Sequence, residues 1–303
     1  MLGLVPTPYW ILAPGRAVDL RETVAVDGYA PPIDRFLLTD VSVEHATALV
    51  LPVGLLPGNE LVREDANVPQ GMSSAAYDRT LVAAMDDSQT TAAVVAERAA
   101  GLRVPMPQRR FVVSAIVGGS RALGTLRVGD EIVSVEGTRI GALGQLRRLI
   151  EEVPAGSPVA LDAVRAGTPL ALRVPTTRVA GHPRLGVEIQ LRPQRLTLPV
   201  PVRFSLANVS GSSAGLMFAL AIYRALRGDR HHTGTSIAGT GTLALDGTVG
   251  PIEGTLQKLI AAKRAGARIF LVPAQNFREV ASERDLRIVP VTSFRDALAA
   301  LRS

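Results

Sequence analysis

Cysteine is absent from the 303-residue sequence. That excludes a disulfide framework, a thiolate nucleophile and any cysteine-ligated metal site. It fixes no compartment, since a chain without thiols tolerates either redox environment. Lysine is nearly absent too. Of 33 basic residues only Lys258 and Lys263 are lysines, so arginine serves almost wherever a positive charge suffices. A lysine kept against that bias raises the question of what arginine cannot do there, and arginine cannot be deprotonated. Aromatic residues are 4% of the chain, which leaves Val, Leu, Ile and Ala to build the cores. The net charge is +6, yet the arginines are scattered and no basic–aromatic interleaving occurs, which argues against nucleic acid as a partner. His231 and His232 are adjacent and His45 and His182 remote, so no metal-ligand spacing is recognisable. No cofactor is expected.

The start, "MLGLVPTPYWIL", carries no basic n-region, and its apolar stretch is far shorter than the roughly 20 residues of a membrane span. As written the chain reads as soluble, with residues 1–6 readable as the stub of a trimmed membrane anchor. A hydrophobic content of 47% against 20% charged residues is that of a globular protein, long enough for about two domains. Residues 1–100 read as a mixed region: short strands ("PYWILAPG", "RETVAVDG", "FLLTDVSV") and then two helices, "SAAYDRTLVAAM" and "DDSQTTAAVVAERAAG".

Residues 101–178 form a second, β-rich unit. "FVVSAIV" and "EIVSVEG" read as strands. "LGQLRRLIEEV" is a helix with Leu146, Leu149, Ile150 and Val153 on one face, and a hairpin turns at Ala166-Gly167. This order, with "LRVGDEIVSVEG" at 126–137, resembles a PDZ domain of the bacterial protease-associated kind. The resemblance implies a groove beside the helix that takes a peptide as an added strand. It places the carboxylate-binding loop in "LRVPMPQRR", residues 102–110, which lack the family's glycine-rich run. A linker is expected near 176–184. Residues 185–303 then alternate strands and helices as an α+β domain, with Leu216, Met217, Leu220 and Tyr223 on one helical face. The fold expected is thus α+β and multidomain.

The chemistry concentrates at "NVSGSSAGLMFALAIY", residues 208–223. Gly211-Ser212-Ser213-Ala214-Gly215 fits the G-x-S-x-G nucleophile elbow of the α/β-hydrolases. That reading needs a downstream acid and histidine, and only His231 and His232 follow, too close to the same helix. A serine without histidine requires another base, and neutral lysine is the common substitute. Lys258 follows Ser213 by 45 residues. If Thr255 caps its helix, Lys258 falls in the first turn, where the dipole and apolar neighbours both disfavour the ammonium.

"SGSSAGLM", followed by "GTLALDGTVGPIEGTLQKLIAAKRAGA", resembles the proteolytic domain of Lon. The PDZ-like unit and the "PTPYWILAPG" start narrow this to the bacterial PDZ-containing Lon-like proteases, over essentially the whole chain. The resemblance implies Ser213 as nucleophile and Lys258 as base, with Thr240 or Thr242 holding the amine. Gly211, Ser212 and Ala214 support the turn, Ser212 standing where the family has proline, and Ser210 caps the helix or satisfies the loop. ATP-dependent Lon proteases carry G-x-x-x-x-G-K-[ST], and neither lysine here sits in one. The function implied is ATP-independent endoproteolysis of unfolded or extended polypeptides, with a peptide ligand in the PDZ groove selecting or positioning substrate. Relatives resembling this chain carry one N-terminal membrane anchor and face outward from the cytoplasmic membrane, and Lon domains form rings.

Two other readings stand beside it. A tail-specific processing protease also joins PDZ to a serine–lysine pair, but without "GPIEG-x-x-x-K". A PDZ adaptor with an inactive or regulatory Lon-like domain would bind without cleaving.

Overall fold

The computed structural model describes residues 5–64, 74–105, 109–154, 156–179, 181–193, 197–206, 209–228 and 234–301. His231, His232, part of the proposed carboxylate loop and most of the 1–6 stub lie outside the described residues. The chain divides into two compact units, one comprising Met1–Gln70, Ser74–Met106 and Leu196–Ser303, the other Gly71–Ser73 and Pro107–Arg195.

The first unit is built on a six-stranded sheet. Its strands, numbered along the chain, are β1 (Pro6–Asp19), β3 (Arg35–Thr47), β4 (Glu60–Arg63), β14 (Ser236–Gly239), β17 (Ile269–Pro273) and β18 (Arg287–Val291). They lie in the order β18-β17-β14-β3-β1-β4. The ribbon of β2 (Val24–Val26) with β13 (Val202–Phe204), and that of β15 (Thr242–Leu243) with β16 (Val249–Gly250), complete it. Side-chain alternation sorts the core. Phe36, Leu38, Ile237 and Leu271 face α1 (Ser74–Ala99) and α3 (Gly215–Arg227). Leu37, Ala238, Phe270 and Val272 face α4 (Thr255–Arg264). A sheet covered on both faces needs such continuous apolar strands.

This arrangement corrects the division expected from sequence. Residues 1–100 are not a region apart, because β3 pairs in parallel with β14, Ser236 opposite Arg35 and Gly239 opposite Leu38. The two expected helices over 74–99 are one. Asp86-Asp87 resembles a helix start, but no Gly or Pro breaks the ladder there, and Met85, Ser88 and Ala92 are buried along it. Helix α3 is apolar all round rather than on one face, with Leu216 through Ile222 all buried. Each such Leu or Phe contributes about 1.5–3 kcal/mol, which makes α3 the axis of the unit. Its cap is Ala214, not Ser210. The final helix (Phe294–Ala300) does carry a capping box between Ser293 and Asp296.

The second unit holds another six-stranded sheet: β5 (Arg109–Ile116), β6 (Glu131–Val135), β7 (Thr138–Arg139), β8 (Pro158–Arg165), β9 (Thr168–Pro175) and β12 (Val187–Pro193), with α2 (Leu143–Glu151) beside it. Leu146 and Ile150 of α2 are buried in its core. Ala166 and Gly167 both take positive φ, 48° and 85°, as a tight hairpin turn between β8 and β9 requires. The unit runs further than 178. "LGVEIQL" was expected in the C-terminal domain, but β12 pairs antiparallel with β5, Leu191 opposite Phe111. The expected linker is itself a small hairpin, β10 (Thr177–Val179) with β11 (His182–Arg184). Asp130 of the "GD" pair is buried, and its carboxylate accepts from Arg165 Nε and Nη2 at 2.7 and 2.8 Å and from the Arg127 N–H. Among the described residues no helix is long and apolar enough to cross a membrane.

Candidate active site

Helices α3 and α4 cover opposite faces of the first unit's sheet, and their N-terminal ends meet beyond the carboxyl end of β14, where its parallel pairing with β3 stops. In sheets with parallel strands that end is where ligands bind. Ser213 lies two residues before α3. Lys258 lies in the first turn of α4, and its N–H makes the turn's hydrogen bond to Gly254 O at 3.0 Å. Lys258 Nζ donates to Ser213 Oγ at 2.8 Å.

The loop carrying Ser213 is held from three sides. The Gly211 N–H donates to Leu81 O, and the Gly241 N–H donates to Ser213 O at 2.8 Å. Ser88 Oγ donates to Ser212 O. At Gly215 an added Cβ would come within 3.0 Å of Ser88 Oγ and 3.1 Å of Leu243 Cβ, so the backbone approaches closely there. Among the described residues the N–H groups of Ser213 and Ala214 have no backbone partner.

Thr240, directly after β14, is the threonine that reaches the lysine. Its Oγ1 lies 3.4 Å from Lys258 Nζ and donates to Ser213 O at 3.2 Å. Thr242 pairs with Gly250 across β15 and β16 instead. Thr255 does not cap α4. Gly254 occupies the cap at φ +67°, where a Cβ would also meet Val41 Cγ2 at 2.8 Å. Among the described residues the buried Thr255 hydroxyl has no hydrogen-bond partner.

Lys258 is 5% exposed. Burial pushes its ammonium down to about 8, against the opposing pull of Asp40 and Glu253. Asp40, in the middle of β3 just past its parallel pairing with β14, moves the other way: burial raises its carboxyl, opposed by the Val41 N–H, Lys258 and Arg16. Neither acid was singled out from sequence. For Asp40 the available signal was a carboxylate set after the apolar run of β3, and Glu253 stood unremarked inside "GPIEG". His45 lies 3.7 Å from Glu64. Among the described residues no group of three or more His, Asp or Glu is placed to hold a metal ion.

This geometry falls in a stretch with known relatives. Residues 206–301 match the Lon protease (S16) C-terminal proteolytic domain. The Lon protease of Xanthomonas oryzae pv. oryzae is 28% identical over 183 residues, covering 58% of this chain and 20% of that protein. The archaeal Lon protease of Methanothermobacter thermautotrophicus is 37% identical over 95 residues, covering 30% of this chain and 14% of that protein. The chain therefore spans about a fifth or less of the length of these relatives. Among solved structures, the PDZ domain of an SdrC-like protein from Listeria monocytogenes is similar at 17% identity and a TM-score of 0.26, covering 29% of this chain and 93% of that one.

A buried lysine that carries its charge at neutral pH weakens the fold. An ammonium shifted from 10.5 to about 8 binds fewer protons folded than unfolded between those values, so stability rises with pH through that window. Lys258→Met is expected to raise the melting temperature at pH 7, by about 1–3 kcal/mol of stability. The advantage should shrink as pH approaches about 10. Thermal melts of both proteins across pH check this, and a Met variant less stable at pH 7 would contradict it.

Proposed function

We propose that this chain is a serine endopeptidase that cleaves unfolded or extended polypeptides without ATP, using Ser213 as nucleophile and Lys258 as general base. The observation that carries the reading is the 2.8 Å contact between Lys258 Nζ and Ser213 Oγ, inside the stretch matching the Lon proteolytic domain. Neutral Lys258 takes the Ser213 proton as Oγ attacks a peptide carbonyl, and the oxyanion develops toward the Ser213 and Ala214 N–H groups. The ammonium then returns that proton to the departing amine, leaving an acyl-enzyme. Lys258 next deprotonates a water, which attacks the ester carbon, and the ammonium reprotonates Ser213 Oγ as the acid product leaves. Thr240, hydrogen-bonded between the lysine and the serine carbonyl, is the positioning residue.

The lack of a Walker sequence in these residues supports ATP independence. The strand–helix order of the second unit supports a PDZ-type peptide site that selects or positions substrate. Assembly into a ring, and an N-terminal anchor holding the full-length protein on the outer face of the cytoplasmic membrane, rest on family resemblance alone.

The test is cleavage of a fluorescently labelled unfolded protein with ATP and divalent metal omitted. Wild type should degrade it and Ser213→Ala should not; inert wild type, or an active Ser213→Ala, would sink the proposal. The rate should also climb with pH. With the lysine titrating at about 8, about a tenth is neutral at pH 7 and about half at pH 8, a gain of roughly fivefold. A flat profile over that unit argues against lysine as base.

A further inference from the structure

Beside the Ser213–Lys258 pair, within the first unit, lies a cleft of about 490 Å3. Its walls come from β1, β3, the start of α1 and the loops that carry Ser210 and Glu253. Neither Ser213 nor Lys258 lines it, but Ser210 precedes Ser213 by three residues, and Asp40 and Glu253 of its wall act electrostatically on Lys258, so the cleft adjoins the pair.

Four carboxylates line it, Asp40, Glu64, Asp78 and Glu253, and among the described residues no lysine or arginine does. Its one titratable base, His45, already faces Glu64. In a chain of net charge +6 this is a local reversal of sign, and partly buried walls focus such a field. The carboxylates converge from separate elements: Asp40 and Glu253 both act on Lys258, while Glu253 and Asp78 both act on Tyr77. Trp10, the only tryptophan in the sequence, and Tyr77 form its aromatic walls. Aromatic faces next to carboxylates suit a planar guanidinium, which stacks on one and hydrogen-bonds to the other, and they cover the aliphatic stem behind it.

We infer that this cleft is a specificity pocket for a basic side chain, arginine above lysine, carried by the polypeptide substrate within a few residues of the scissile bond. The inference rests on the endopeptidase reading above and adds the class of sequence that the site takes. Asp78 and Glu253 are the specificity-determining residues, reached from the solvent side. Asp40 lies deeper, toward the lysine.

The test uses peptides identical except for one arginine or norleucine, the substitution being scanned through every position. Binding is measured by fluorescence anisotropy on the Ser213→Ala chain, and cleavage on wild type. At the best position arginine should bind about tenfold tighter and raise kcat/KM by a similar factor, an advantage that falls with added salt. Asp78→Asn with Glu253→Gln should bring the arginine-to-norleucine ratio to within about twofold. Taking the ratio at one pH cancels any change in the proton affinity of Lys258. Equal binding of the two peptides at every position, or a preference that the double variant leaves unmoved, overturns the inference. Cleavage of both peptides at equal rates overturns it while leaving the endopeptidase. Preferential binding with no cleavage by wild type keeps the pocket and removes the endopeptidase.

Discussion

Lys258→Arg is expected to lower cleavage of an unfolded protein by about three orders of magnitude or more, as deep a loss as Ser213→Ala. Arginine keeps the positive charge, a long stem and hydrogen-bond donors that reach toward Ser213. A purely structural role for residue 258 would therefore survive the change largely intact. What arginine cannot do is give up its proton near neutral pH. Serine alone is a weak nucleophile, so loss of the base costs nearly as much as loss of the hydroxyl, and the two losses should not add. The double variant should match either single one. Raising the pH to about 10 should not restore the arginine variant, whereas wild type climbs through the limb set by a lysine titrating at about 8. An arginine variant that cleaves at wild-type rate would remove Lys258 from the mechanism.

Arg165→Met is expected to destabilise the second unit by about 3 kcal/mol. Burial alone would push the Asp130 carboxyl up, but the Arg165 hydrogen bonds, the Arg127 N–H and the charges of both arginines outweigh it and hold the pKa below the usual carboxylate value. Removing Arg165 leaves a carboxylate whose side chain is 1% exposed with one backbone donor. Arg165 Nη2 also donates to Thr125 O, so the turn before β6 is released as well. Amide hydrogen exchange on the whole chain reads this directly. Protection in β5, β6 and β8 should fall by about a hundredfold, while α3 and β17 in the first unit keep theirs. Adding Asp130→Asn should recover part of the loss, because it removes the stranded charge. Unchanged protection in β6 would contradict this reading of the "GD" pair.

The contact between Ser213 and Lys258 was foreshadowed by two signals: a glycine-flanked serine heading an apolar helix, and a rare lysine in an apolar stretch 45 residues on. Hairpin chemistry at Ala166-Gly167 and the buried face of α2 were equally open to local pattern. Strand partners were not. Alternation shows that "FLLTDVSV" is a strand, but nothing local says that it pairs with "SIAG" rather than closing a separate domain. The same blindness put β12 in the wrong unit. The cap of α4 was misread because Thr255 looks like a capping residue, while the backbone needed the positive φ and absent side chain of Gly254. The four carboxylates of the acidic cleft come from four separate stretches of chain, so its charge shows only once they are folded together.

The pairing of β3 with β14 has a consequence for the order in which the protein comes into being. Thr39 Oγ1 and Gly239 O are bonded across 200 positions of sequence, and the whole second unit is synthesised between them. At about 5–20 residues per second on a ribosome, β3 waits about 10–40 s for its partner. Phe36, Leu37 and Leu38 belong to no finished core through that interval. The inserted unit, whose contacts are closer in sequence, folds first. The proposed nucleophile and base meet only after residue 258 has emerged and the sheet has closed. Until then the pair is unassembled, and the open β3 edge is exposed to pairing with other chains.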